Sequence, residues 1–112
     1  MTVSQMAGSL ELEVLCGSPE ALGAEVSGGY CGDLLSWVMG RAGTGSAWMT
    51  IMSNPNVAAV ATLSGLSCVI LTEGVSPDKP LLERMEGEDI PLLRSEEAAF
   101  GLAGKLYKMI YA

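Results

Sequence analysis

Ala47–Trp48–Met49–Thr50–Ile51–Met52 is a short apolar run, and Ser53–Asn54–Pro55–Asn56 follows it directly. The run has strand length. Asn54 is placed to cap a helix by accepting orphan backbone N–H groups, and Pro55 to open it, because its fixed φ suits the first turn and it has no N–H to leave unpaired. Val57, Ala58 and Ala61 then share one helical stripe, which Gly65 ends. The stretch therefore reads as strand, polar loop and helix, one βα unit. The theme returns downstream. Cys68–Leu71 is continuously apolar, as a strand covered on both faces must be, and belongs at the sheet centre. Its loop, Thr72–Pro77, leads to a helix expected from Asp78 to Glu86, closed by Gly87, with Leu81, Leu82 and Met85 inward. A third run, Ile90–Leu93, precedes Arg94 and Ser95. Ser95 is read as the cap of a last helix with Glu96 and Glu97 in its first turn and Lys105 and Lys108 toward its end, charges that suit the helix dipole. Successive βα units predict a mainly parallel sheet.

Upstream the signals are weaker. Apolar residues alternate with Glu11 and Glu13 from Leu10 to Leu15, the pattern of a strand near an edge with one face in water. The domain is expected to run from residue 10 to 112, with residues 1–9 as an N-terminal segment. Gly28–Gly29–Tyr30–Cys31–Gly32 reads as a turn that leads into a helix capped by Asp33. Leu34, Leu35, Val38, Met39 and Ala42 form that helix's inward stripe, and Gly43 and Gly45 stop it. Trp37 falls outside the stripe. On the last helix, Ala99, Leu102, Ala103, Leu106 and Ile110 make one apolar stripe, and Phe100, Tyr107 and Tyr111 a second beside it. Trp37 and this second stripe either complete the core or meet another subunit.

At 112 residues, 49% hydrophobic and 17% charged, the chain suits one globular domain that needs no staple. Thirteen acids against six bases give a net charge of -7, which repels nucleic-acid phosphates and an anionic membrane surface. No targeting signal is read in Met1–Gly8 and no window reaches the length of a membrane span, so a cytoplasmic protein is expected. Cys16, Cys31 and Cys68 are odd in number and lack the close pairing of zinc or iron–sulfur ligands, so reduced thiols and no metal are expected. Cys68 reads as core, whereas Cys31 is reachable. The chain has no His, and with it goes the usual general base near neutral pH. Gly43–Thr44–Gly45–Ser46 follows a helix and enters a strand, the reverse of a phosphate cradle, and Gly28–Gly32 lacks the Lys–Ser/Thr ending. No catalytic residues and no cofactor are assigned.

In a parallel sheet the loops leaving the strand C-termini share one edge. Here they supply Ser53, Asn54 and Asn56, then Thr72, Glu73 and Gly74, then Arg94 and Ser95. These residues either receive a small anionic ligand, with Arg94 pairing a carboxylate or phosphate, or serve only as caps and turns. An enzyme using Asp33 or Glu73 as an acid ranks last.

Gly28–Gly29–Tyr30 with Gly32–Asp33–Leu34–Leu35–Ser36, Ala47–Trp48–Met49–Thr50–Ile51, Asn56–Val57, Val69–Ile70–Leu71–Thr72–Glu73–Gly74, Ile90–Pro91–Leu92–Leu93 and Gly104–Lys105–Leu106–Tyr107 together resemble the stand-alone DRTGG-domain proteins, related to the amino-terminal domain of HPr kinase/phosphorylase. The naming motif itself corresponds here to the Gly-rich region with Gly28, Gly29, Gly32 and Asp33. Asn54 stands where such proteins tend to carry His. The resemblance implies a three-layer α/β/α sandwich with a mainly parallel sheet of four to five strands. It also implies a regulatory element found beside CBS domains or acetyl-transferring enzymes, with a tendency to pair and no established reaction. The expected function is a non-catalytic regulatory or ligand-binding module, a homodimer, sensing a nucleotide or small anionic metabolite. The alternative is a protein–protein adaptor bound to a metabolic enzyme.

Overall fold

The computed structural model describes residues 1–111. In chain order the elements are α1 (Val3–Ser9), β1 (Glu13–Cys16), α2 (Pro19–Leu22), β2 (Gly28–Cys31), α3 (Leu35–Arg41), β3 (Ser46–Thr50), α4 (Asn56–Ser64), β4 (Cys68–Leu71), α5 (Lys79–Glu88), β5 (Leu92–Arg94) and α6 (Ala99–Tyr111). The strands form a five-stranded sheet in the order β1-β5-β4-β3-β2, so β4 lies at the centre. β2, β3, β4 and β5 run parallel, and β1 pairs antiparallel with β5. Residue 112, the expected end of the domain, lies outside the described residues.

β4 is apolar throughout because both its faces are covered. Ala47, Met49, Cys68, Ile70 and Leu93 pack on one face with Val3 and Met6 of α1 and Leu102 and Leu106 of α6. Trp48, Val69, Leu71 and Leu92 pack on the other with Val38 of α3, Val57, Ala58 and Ala61 of α4, and Leu81 and Met85 of α5. The result is the expected three-layer sandwich. Trp48 is wholly buried, and its indole N–H donates to the Gly32 carbonyl at 2.8 Å, which satisfies the one polar atom that burial would otherwise penalise.

Several local expectations are corrected. The strand expected over Leu10–Leu15 begins only at Glu13. Leu10 is the C-cap of α1 and Glu11 has φ 55, so the apparent alternation spans a left-handed turn and then a strand. α1 follows from a capping box at the very start: Thr2 Oγ1 accepts from the Gln5 N–H at 3.1 Å, and Gln5 Oε1 accepts from the Thr2 N–H at 2.9 Å. Gly28–Gly32 is not a turn, since Gly28–Cys31 is strand β2, in register with Ser46–Met49. Nor does Asp33 cap α3. That helix starts at Leu35 with no side-chain cap, and the Asp33 carboxylate accepts instead from Thr50 Oγ1 at 2.8 Å and Ile51 N–H at 3.0 Å. A side chain that bridges the ends of two neighbouring strands satisfies more polar groups than one cap. In α3 only Val38 is buried, while Leu34 and Met39 face solvent.

Farther on, α4 begins one residue later than expected. Asn54 sits outside the helix in an Asx turn, its Oδ1 accepting from the Asn56 N–H at 3.0 Å, and Pro55 takes the capping position. Asp78 does cap α5, its carboxylate accepting from the Leu81 N–H at 2.8 Å, but α5 passes through Gly87 to Glu88. Asp89, with φ 51, supplies the left-handed stop expected of glycine. The third strand is Leu92–Arg94 rather than Ile90–Leu93. Ser95 Oγ accepts from the Glu97 N–H at 3.0 Å, and α6 starts only at Ala99.

Candidate functional site

The loops after β2, β3, β4 and β5 emerge at one edge of the sheet, as the parallel topology requires. Arg94 organises that edge. Its Nε donates to the Val75 carbonyl at 3.1 Å and its Nη2 to the Gly74 carbonyl at 2.6 Å. Around the same guanidinium stand Glu96 at 3.3 Å and Glu13 at 3.7 Å. The loop it holds is a tight turn closed by the Val75 N–H on the Thr72 carbonyl at 3.1 Å, with Glu73 at φ 56 and Gly74 at φ 71. Two consecutive left-handed residues define a type I′ turn, and the positive φ at Gly74 favours glycine there. The Glu73 N–H donates to the Glu97 carbonyl at 2.9 Å and the Gly74 N–H to the Ser95 carbonyl at 2.8 Å.

The fold thus brings Thr72, Glu73, Gly74, Arg94 and Ser95 into one hydrogen-bonded unit. Ser53, Asn54 and Asn56 lie in the neighbouring loop, tied to α5 by the Asp78 N–H on the Ser53 carbonyl at 3.1 Å. Glu73 and Asn56 are exposed, and Thr72 is buried. Electrostatically, the one guanidinium at this edge already faces two carboxylates. Asp33 joins the edge from the β2 side, through the bonds to Thr50 and Ile51.

A second surface lies where α6 crosses β2. A Cβ on Gly29 would come within 3.3 Å of Leu106 Cδ2, so the glycine lets the helix lie close on the strand. Beside that contact is a cleft of about 180 Å³, lined by Gly29, Cys31, Met49, Leu106, Tyr107 and Tyr111 among others. The Tyr107 and Tyr111 rings, which also line it, are tilted at 44° to each other with centroids 4.6 Å apart. Phe100 is 93% exposed, Tyr107 64%, Tyr111 62% and Trp37 53%. None of the four completes the core. The Arg41 guanidinium lies 3.8 Å above the Trp37 ring.

The thiols are held as thiols. Burial raises the Cys31 pKa and the Asp33 carboxylate adds to it, and its Sγ lies 3.8 Å from Met49 Sδ. Burial likewise raises Cys16 and pushes Cys68 up to about 12. A raised pKa keeps the thiolate, the nucleophile, scarce. Among the described residues no three His, Cys, Asp or Glu side chains are grouped to hold a metal ion, and no helix is long and apolar enough to cross a membrane. Sequence reasoning missed the free edge of β2, because a Gly-Gly pair reads as a turn. No side-chain periodicity in Gly28–Gly29–Tyr30–Cys31 signals the strand.

A small three-layer α/β domain, with a mostly parallel sheet and a polar edge at its strand ends, is the class that this geometry defines. The chain belongs to the DRTGG-domain family, whose model matches residues 6–109. Among solved structures it is similar to the CBS and DRTGG domains of the regulatory region of Clostridium perfringens pyrophosphatase, complexed with the activator diadenosine tetraphosphate. The TM-score is 0.70 at 14% identity, and the match covers 92% of this chain and 44% of that one. The chain therefore spans less than half the length of that relative. None of the curated proteins compared with the chain matches it significantly.

Proposed function

We propose that this chain is a regulatory binding module without catalysis of its own, acting as a homodimer on an associated enzyme or metabolic system. The observation that carries the reading is the DRTGG match over residues 6–109, in a fold shared with part of a pyrophosphatase regulatory region. Pairing is supported by the aromatic residues left outside the core: Trp37, Phe100, Tyr107 and Tyr111. The three free thiols suit a reducing compartment such as the cytoplasm. The test has two parts. Sedimentation should show a dimer at micromolar concentration, weakened about thirtyfold by Trp37→Ala or Tyr107→Ala, the size of a central interface truncation. Purified protein should turn over no phosphoester, acyl or nucleotide substrate. A specific activity abolished by Asp33→Asn would reject the non-catalytic part.

A second reading places a nucleotide or small anionic metabolite at the strand-end loops, among Ser53, Asn54, Asn56, Thr72, Glu73, Gly74, Arg94 and Ser95. It is supported by the anionic activator bound to the pyrophosphatase regulatory region and by the Arg94 guanidinium that holds the Thr72–Gly74 loop at the strand-end edge. A ligand bound only by the folded state raises thermal stability, so a thermal-shift screen of nucleotides, phosphates and carboxylates tests it. No shift, with the Ser53, Thr72 and Ser95 resonances unmoved, would reject this reading. It would leave the aromatic face as an adaptor surface for a partner enzyme.

A further inference from the structure

We infer that the homodimer forms by edge-to-edge pairing of β2 with β2 of a second copy, antiparallel, which continues the two sheets as one. This rests on the proposed pairing and adds its seam. β2 is the last strand in the order β1-β5-β4-β3-β2 and, among the described residues, has no strand on its outer side. Alternate residues of a parallel strand turn their N–H and C=O to opposite sides. The Gly32 N–H donates inward to the Met49 carbonyl at 3.2 Å, so the backbone groups of Cys31 and Gly29 point outward. Nothing in Gly28–Gly29–Tyr30–Cys31 discourages a partner strand, since it carries no charge and no proline.

The layers flanking this edge fit the same seam. Above the sheet α6 lies along β2, with Tyr107 and Tyr111 beside Gly29 and Cys31, and a second groove joins Cys31 to Phe100 and Ala103. Below it, α3 leaves β2 directly and presents Leu34, 59% exposed, and Trp37. A two-fold axis normal to the sheet would set β2 against its copy, α6 beside α6 and α3 beside α3. It would cover both aromatic sets at once, whereas a dimer packed through α6 alone leaves Trp37 bare. The area is also right. At their observed exposures the four aromatic side chains offer roughly 600 Å² per copy. Leu34 and the strand edge bring this toward the about 800 Å² per partner of a stable interface.

Amide hydrogen exchange on the isotope-labelled full chain, beside sedimentation, tests the seam. In the dimer the Gly29 and Cys31 amides should be protected, and should lose that protection on dilution to monomer, while the inward Gly32 amide keeps its own. Cys31→Lys, an exposed substitution that puts a charge in the seam, should raise the dimer dissociation constant at least thirtyfold, and Glu13→Lys on the opposite edge should not. A dimer whose Gly29 and Cys31 amides exchange as fast as in the monomer, or one that Cys31→Lys leaves intact, overturns the seam and leaves pairing through another face. A chain that stays monomeric at the concentrations NMR requires overturns pairing and seam together. Protection of those amides appearing only when another protein is added would give the edge to a different partner.

Discussion

At the β1 edge of the sheet the chain places Glu13 opposite Arg94, and the register shifts between Val14 and Cys16. Charge and bulge both discourage a further strand. At the β2 edge it places four uncharged residues, two of them glycine, between helices that hold out Phe100, Tyr107, Tyr111 and Trp37. One edge is closed by interactions within the chain. Among the described residues the other is not closed in this way, and Phe100, Tyr107, Tyr111 and Trp37 stand exposed beside it. The contrast teaches a division of labour: substitutions near β1 should cost stability of the fold, and those near β2 should cost association.

The largest effect is expected from Met6→Ala. Met6 is wholly buried in the cluster that also holds Ile70 and Leu93, and truncating it leaves a cavity. Such a truncation typically costs about 3 kcal/mol. Trp37→Ala, at an exposed position, should change the stability of the isolated protomer by no more than about 0.5 kcal/mol. Urea unfolding of both variants, at a dilution where the dimer has dissociated, checks the pair. Similar losses in the two would break the contrast between the buried core and the exposed aromatic residues beside β2.

That prediction also shows where the sequence was legible. The βα repeat from Ala47 to Leu93 was readable because its strands are buried on both faces, and continuous apolar runs then have one interpretation. Gly65 and Asp78 were readable because helix ends demand particular chemistry. The N-terminal third was harder. Met6 belongs to a helix of seven residues, too short to show a periodicity, and the Thr2–Gln5 capping box was its one local mark. β2 was illegible for the opposite reason: Gly28 and Gly29 have no side chains to alternate, and only the pairing with β3 makes them a strand. At the candidate site, the residues of the strand-end loops were named from topology. The turn that joins them to Arg94 depends on carbonyl positions, which no side-chain pattern records.

A smaller effect is expected from Arg94→Ala, which sharpens the picture of the closed edge. The side chain is 23% exposed and holds the Val75 and Gly74 carbonyls while facing Glu13 and Glu96. Hydrogen bonds from a charged donor contribute about 1.5–3 kcal/mol, and exposure on the carboxylate side screens the ion pairs, so a loss of about 2 kcal/mol is expected. Urea unfolding measures it, and the sedimentation behaviour of the folded variant should match wild type. A loss below about 0.5 kcal/mol would mean that β1 closes the sheet without this clamp.

The smallest effect comes from Asp89, which ties the chain just past β1 to the end of α5. Its carboxylate accepts from the Ser18 N–H at 3.0 Å and the Ser18 hydroxyl at 2.5 Å, and these bonds lower its pKa. The dipole at a helix C-terminus disfavours a carboxylate there, whereas the two Ser18 donors favour its charged form. A depressed folded-state pKa contributes stability that is present above the unfolded value of about 3.9 and fades as pH falls through the folded value. Asp89→Asn removes the charge, and asparagine tolerates the left-handed backbone at φ 51, so strain does not confound the comparison. The variant should be slightly less stable than wild type at neutral pH, and the gap should close in acid. Urea midpoints for both proteins, followed from neutral pH down through the carboxylate range, check the sign. A variant more stable than wild type at neutral pH would show that the dipole outweighs the Ser18 bonds. The link from β1 to α5 would then hold by packing alone.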